Sequence, residues 1–247
     1  MTATTVSVHR PAPGVAQITL QDTEHKNTFT ERFVADLTEA FAEVSADDTC
    51  RAVVLTGYDT YFASGATQAG LLALHAGQTT FNVTQFYRLA LDCEVPVVAA
   101  MQGHGIGGGF VLGLFADCVV LSRESVYAAN FMRYGFTPGM GATYILPVKL
   151  GFSLAHEMLL GGRTYRGADL ETRGVPFPVL PRRDVLSCAH ELAAELADRP
   201  RLSLVTLKRH LVRTIRQELD EAIGREIAMH ETTFHHDDVK RRILQLF

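Results

Sequence analysis

Residues 103–109 read GHGIGGG, the densest chemical signal in the chain. Gly103, Gly105 and Gly108 satisfy the spacing G-x-G-x-x-G, between an apolar run from Val95 to Met101 and another after it. One reading is a dinucleotide-binding turn, which needs a strand before it, a helix after it, a closing strand, and an acidic residue about 20 positions on for the ribose. Glu124 meets the last demand loosely, but only Phe110 to Asp117 separate the glycines from the next strand, short for a crossover helix. A second reading is an anion hole. Consecutive glycines let a ligand approach the backbone, and the first N–H groups of a helix have no acceptor inside it. Such donors hold an oxygen on which negative charge develops, a thioester enolate for example. FASGAT (62–67), which follows VVLTG and also opens a helix, is placed to supply a second donor. A third reading gives the glycines nothing but close helix–strand packing.

Histidine is the side chain whose proton is most easily exchanged near neutrality, and the chain has ten. His104 lies inside the glycine motif, where a structural hydrogen bond is its simpler role. His235 and His236, followed by Asp237 and Asp238, have the residue types of a metal site. Neighbouring residues on a helix point in different directions, and a helix start accounts for both aspartates, so no metal is expected.

The elements that must carry these groups follow from periodicity. VSVHR and VAQITL, around Pro11 to Gly14, read as a hairpin. Thr28/Thr30 then open RFVADLTEAFAEV, whose Phe33, Leu37, Phe41 and Val44 recur at helical spacing. AVVLTG, PVVAAMQG and CVVLSRE read as buried parallel strands, alternating with helices in YFASGATQAGLLAL, FNVTQFYRLALDC and GGGFVLGLFAD. Strand and helix in alternation predict an α/β parallel sheet. PFPVLP adds one short strand, and the remainder is predicted as helices over 152–160, 182–198, 201–212, 215–231 and 236–246. No Gly/Ser linker divides the chain, so residues 1–195 are read as the α/β core and 196–247 as a helical extension packed on it in one continuous domain.

Composition narrows the partners. With 247 residues, 47% of them hydrophobic, the chain is long enough for a substantial core. A formal charge of −4, with no Lys/Arg run longer than the three at 240–242, argues against nucleic acid or an anionic membrane as the main partner. The stretch from Gly105 to Leu121 contains five glycines and Asp117 and is shorter than the roughly 20 residues that span a bilayer. MTATTVSVHRPAPG has neither a basic start nor an apolar core, so no signal peptide is expected. Cys50, Cys93, Cys118 and Cys188 form no C-x-x-C pair and are expected as free thiols of a cytoplasmic protein.

YFASGAT, PVVAAMQGHGIGGGFVLGLFADCVVLSRES, YGFTPGMGATYILPVKLG and TYRGADLETRGV, in that order and spacing, resemble the enoyl-CoA hydratase/isomerase (crotonase) superfamily over residues 15–247. The resemblance implies an α/β fold, a spiral of ββα repeats, with a C-terminal helical region that covers the active site and joins a homotrimer or a dimer of trimers. It also implies an oxyanion hole of two backbone N–H groups, which fall on Ala66 and Gly108. Hydratases of the superfamily carry a glutamate two residues after the glycine triplet and another about 20 residues on. Here those positions are Val111 and Phe131, so the usual carboxylate pair cannot activate water.

An enolate-stabilising hole in a dry pocket suits decarboxylation, because the charge of the departing carboxylate is dispersed as the bond breaks. MQGHGIGGGF, SRESVYAANFMRYGFTPGMGAT and MHETTFHH are most similar to the decarboxylating crotonases of polyketide β-branching. That resemblance implies a cofactor-free enzyme acting on 3-methylglutaconyl thioester held by an acyl carrier protein, and it assigns the proton donor to His230. It also implies a lysine about 14 residues after Ala66; here Thr80 stands at that position, with His75 and Gln78 as neighbouring polar candidates for holding the substrate. Two alternatives stay open from sequence: hydration or isomerisation of a CoA thioester, and a non-catalytic assembly partner.

Overall fold

In the computed structural model, residues 4–79 and 85–247 are described. The strands in chain order are β1 (Val6–Ala12), β2 (Val15–Leu20), β3 (Ala52–Thr56), β4 (Tyr61–Ala63), β5 (Val97–Met101), β6 (His104–Ile106), β7 (Cys118–Ser122), β8 (Val126–Ala128), β9 (Thr164–Arg166) and β10 (Val179–Leu180). The helices are α1 (Glu31–Ser45), α2 (Gln68–His75), α3 (Leu89–Asp92), α4 (Gly108–Leu114), α5 (Ala142–Leu150), α6 (Phe152–Gly161), α7 (Gly167–Thr172), α8 (Arg182–Ala197), α9 (Arg201–Thr233) and α10 (Asp237–Leu246).

The strands make two sheets, one ordered β1-β2-β3-β5-β7-β10 and a smaller one ordered β4-β6-β8-β9. β3, β5 and β7 each enter the large sheet, and the short strand that follows each enters the small one. A helical segment comes next: α2, α4, and then a 3-10 turn over Asn130–Tyr134. This is the expected ββα spiral. Successive residues of a strand face opposite sides, and β3 divides accordingly. Val53 and Leu55 join the core cluster that includes Phe33, Leu37 and Phe41 of α1, whereas Ala52 and Val54 face α8. α8 meets them with Val185, Ala189, Ala193 and Ala197, small residues at four-residue spacing that let the helix lie close on the sheet.

Two predicted elements differ. The helices expected over 201–212 and 215–231 are one helix of 33 residues, α9, because neither Gly nor Pro interrupts the intervening Arg213 and Thr214. Of the helix expected over FNVTQFYRLALDC, the described part is a 3-10 turn at Phe86–Arg88 and the single turn of α3; residues 80–84 lie outside the described residues. α8 ends at Ala197, just past the expected core boundary. α9 is fastened to the sheet by Lys208, whose buried Nζ lies 2.7 Å from Asp117 Oδ2 and donates to the carbonyls of Ala90 and Val95 at 2.9 and 3.0 Å. All four cysteines are free, and among the described residues no helix is long and apolar enough to cross a membrane.

Candidate active site

The site forms where neighbouring strands of the small sheet end. Leaving β4, the chain passes through Ser64, Gly65 and Ala66 into Thr67, whose Oγ1 accepts from Gly70 N at 3.0 Å and caps α2. Leaving β6, it turns at Gly107, whose N–H donates to Ala128 O at 2.7 Å, and α4 begins at Gly108. The N–H of Gly108 therefore lies in a first helical turn, where no intrahelical acceptor exists.

The two turns touch backbone to backbone. A Cβ on Gly65, which has φ +77°, would lie 2.8 Å from Ile106 O and 3.2 Å from Gly108 N; one on Gly109 would lie 2.0 Å from Ala63 O. No side chain fits between the segments, which is why glycine recurs in both. Ala66 and Gly108, predicted from widely separated motifs, thus come together on the wall of one narrow cavity of about 90 Å³. Asn130, Phe131 and Tyr134 come from the third turn of the spiral, Phe136 and Met140 from the following loop, and Phe247 from the end of α10. Among the described lining residues no side chain carries a carboxylate, an amine or an imidazole. Tyr134 is the exception among them in being titratable at all, and burial raises its phenol above the usual value, so it remains protonated at neutral pH.

The other predicted positions are distributed around this cavity. Phe131 lines it, whereas Val111 is fully buried in α4 and packs in the core. His75 ends α2 and faces the start of α10: its Nε2 is 3.2 Å from His236 O, and His235 Nδ1 is 2.9 Å from His75 O. Gln78 is exposed in the turn after α2, its N–H donating to Ala73 O at 2.9 Å. Thr80 lies outside the described residues. The structure therefore brings Ala66, Gly108 and Phe131 to the cavity, with His75 at the junction of α2 and α10 and Gln78 in the exposed turn after α2.

His230 sits one layer behind the wall. It is buried on α9, its ring 6.3 Å from that of Phe136, and its Nε2 is 2.7 Å from Thr137 O. A carbonyl only accepts, so Nε2 bears the proton. Burial lowers the imidazole below its ordinary value, opposed by its hydrogen bonds to the backbone at Thr137 and Pro138. The ring also occupies the space over Gly139, where a Cβ would meet Cε1 at 2.4 Å. One turn earlier on α9, buried Glu226 accepts from Gly141 N, Thr143 N and Thr143 Oγ1 at 2.7, 2.8 and 2.6 Å. Together these two side chains hold the 137–143 loop that carries Met140 to the cavity.

The dinucleotide reading does not survive this geometry. Gly105 belongs to β6 in a different sheet from β5, and Glu124 Oε2 is taken by Arg182 N at 2.8 Å and Ser122 Oγ at 3.0 Å. His104 Nδ1 accepts from Val126 N at 3.0 Å, a structural role, and burial with Arg182 and Arg166 nearby keeps the ring neutral by lowering its pKa. Among the described residues no group of His, Cys, Asp or Glu could hold a metal ion. His236 instead precedes α10 with extended backbone, and Asp237 and Asp238 occupy its first turn.

The family model for enoyl-CoA hydratase/isomerase matches residues 11–247. The chain belongs to the enoyl-CoA hydratase/isomerase family. Within this crotonase family the chain is similar to decarboxylases over its whole length. The bacillaene synthase decarboxylase PksI of Bacillus subtilis (strain 168) is 60% identical over 247 residues, 100% of this chain and 99% of that protein. A solved structure described as part of a dehydratase/decarboxylase enzyme couple involved in polyketide β-branching superposes with a TM-score of 0.97 at 60% identity, covering 98% of this chain and 99% of its own. The ECH2 decarboxylase domain of CurF from Lyngbya majuscula gives 0.95 at 45% identity, covering 99% and 100%. A crotonase described as a probable enoyl-CoA hydratase, echA12 of Mycobacterium bovis, is 34% identical over 222 residues, 85% of this chain and 78% of that protein. The chain is a decarboxylase-type crotonase.

Sequence reasoning missed Asn130, Tyr134, Phe136, Met140 and Phe247 as lining residues. The signal available was YGFTPGMG, whose Gly135 and Gly141 take positive φ, as does Met140 at +62°; a non-glycine residue in that region marks a backbone held by its surroundings.

Proposed function

We propose that this chain removes CO2 from 3-methylglutaconyl thioester on an acyl carrier protein, yielding the 3-methylcrotonyl thioester in polyketide β-branching, with no cofactor. The supporting observation is that Ala66 and Gly108, the residues assigned as backbone donors, line one cavity together, and that its described side chains include no carboxylate to activate water. The thioester oxygen sits at the two N–H groups. The bond between the γ-carbon and the carboxylate breaks, CO2 departs, and the bonding electrons pass through the conjugated C=C into the thioester carbonyl, forming a dienolate. The oxyanion hole stabilises the new charge where it develops. Phe131 and Phe136 surround the departing group with apolar surface, favouring loss of the localised carboxylate charge.

One proton then returns to carbon. We assign it to His230, the buried imidazole against Phe136, which in its protonated imidazolium form would turn from Thr137 O, deliver the Nε2 proton and be left as the neutral ring, to be reprotonated from solvent before the next turnover. A second route is favoured by position: Tyr134 is on the cavity wall and keeps its phenolic proton. His230→Ala reducing kcat about 100-fold while Tyr134→Phe stays within about threefold supports His230; the reverse outcome transfers the role to Tyr134. The activity itself is read by intact mass. 3-Methylglutaconyl carrier protein incubated with enzyme should lose the mass of one CO2, and an unchanged mass with correctly loaded carrier rejects the assignment.

A further inference from the structure

The chain is acidic overall, yet its longest basic run, Lys240 to Arg242, lies on α10, whose end delivers Phe247 to the cavity. Phe247 is 54% exposed while Gly108 is buried, so this end of the cavity is its mouth. Arg242 crosses toward the Asn130–Tyr134 turn: its Nη1 lies 3.4 Å from Arg133 O, and its Cδ would touch a Cβ on Gly135 at 3.3 Å. Arg133, exposed, directly precedes the lining residue Tyr134, whose ring is 5.5 Å from that of Phe247. On the other side, Arg133 Cγ lies 3.0 Å from where a Cβ of Gly162 would be, and Arg163 follows with its side chain 71% exposed. Asp238 pairs with both Arg241 and Arg242 and offsets one positive charge of the group. Glu157 approaches Arg163 only to 3.9 Å and is held more closely by Arg173 at 2.6 Å. Arg133, Arg163, Arg241 and Arg242 with Asp238 thus leave three net side-chain positive charges beside the mouth.

We infer that this arginine arc, formed by the Asn130–Tyr134 turn, the residue after Gly162 and the outer side of α10, is the docking surface for the acidic face of the carrier protein. Resting on the carrier-borne substrate proposed above, it sets the carrier where the phosphopantetheine arm enters past Tyr134 and Phe247 toward Ala66 and Gly108. The partner is defined by its chemistry: a small acidic protein with a long, flexible thioester arm. The arc lies at the mouth and not in the cavity, so it acts on encounter and affinity and leaves the bond-breaking step alone.

The test compares the double variant R133E/R241E with the unchanged enzyme on two substrates: 3-methylglutaconyl carrier protein and the same acyl group on free pantetheine. The variant should raise KM for the carrier-borne substrate about tenfold or more with little change in kcat, and leave pantetheine thioester turnover within about twofold. Raising salt should weaken the unchanged enzyme toward the carrier-borne substrate more than it weakens the variant. An unchanged carrier KM overturns the docking surface, and so does an equal loss on both substrates, which would place the arginines in support of the cavity. If the unchanged enzyme converts neither substrate, the decarboxylase reading fails and the docking surface falls with it.

Discussion

At the scale of residues, the decisive contrast is between groups that face the cavity and groups that support those facing it. The two loops that line the cavity were legible from their glycines and helix starts, while the choice of Ala66 and Gly108 within them came from the family resemblance. Phe131 was legible as the place of an absent carboxylate. The role of Val111 was less so, since a position within a helix does not say which side is covered by the neighbouring turn. His230 carries a pH prediction. The unfolded imidazole takes a proton below its ordinary value near 6.5, which the buried ring resists. The unfolded state then binds more protons, so stability falls as pH drops below that value. Chemical denaturation between about pH 5 and 7 should show this fall, and His230→Gln should flatten it. Part of the slope should persist, because burial also lowers His104 and His190.

At the scale of elements, caps and long amphipathic faces could be read directly. Thr30 caps α1 as expected, with Phe33 N donating to its Oγ1 at 3.1 Å, and the buried face of α1 is the predicted one. The three-residue strands of the small sheet could not, because three residues are too few for alternation to emerge and their pairing is set by other turns of the spiral. Gly109 tests how tightly two such turns are apposed. Gly109→Ala forces a methyl to within 2.0 Å of Ala63 O, so the turns must separate. We expect kcat to fall about 100-fold or more, as for loss of an oxyanion donor, with circular dichroism showing whether the fold remains. Lys208 tests the docking of α9. Lys208→Ala leaves Asp117 and two carbonyls without their ammonium partner, and denaturant titration should report a loss of about 3–5 kcal/mol. Asp117 also accepts from Val97 N at 2.7 Å, so the damage should reach the large sheet.

At the scale of the whole molecule, the α/β alternation and the helical C-terminal region were evident, but their dependence on each other was not. α9 closes over the 137–143 loop through Glu226 and His230, and α10 completes the cavity. Thermal unfolding of the full chain should accordingly be a single transition, while a chain ending at residue 195 should lack a cooperative one. Two separate transitions, or a cooperative truncated chain, would show that the helical region folds independently. The spiral also has a consequence for how such a catalyst changes over descent. Two successive turns supply the backbone that lines one wall of the cavity, and the third supplies Asn130, Phe131 and Tyr134. On the proposed function, holding an enolate and deciding its fate are separable traits: the side chains at Phe131 of the third turn and Val111 of α4 can be exchanged, and so one reaction for another, while the backbone of the first two turns keeps its hold on the same fleeting anion.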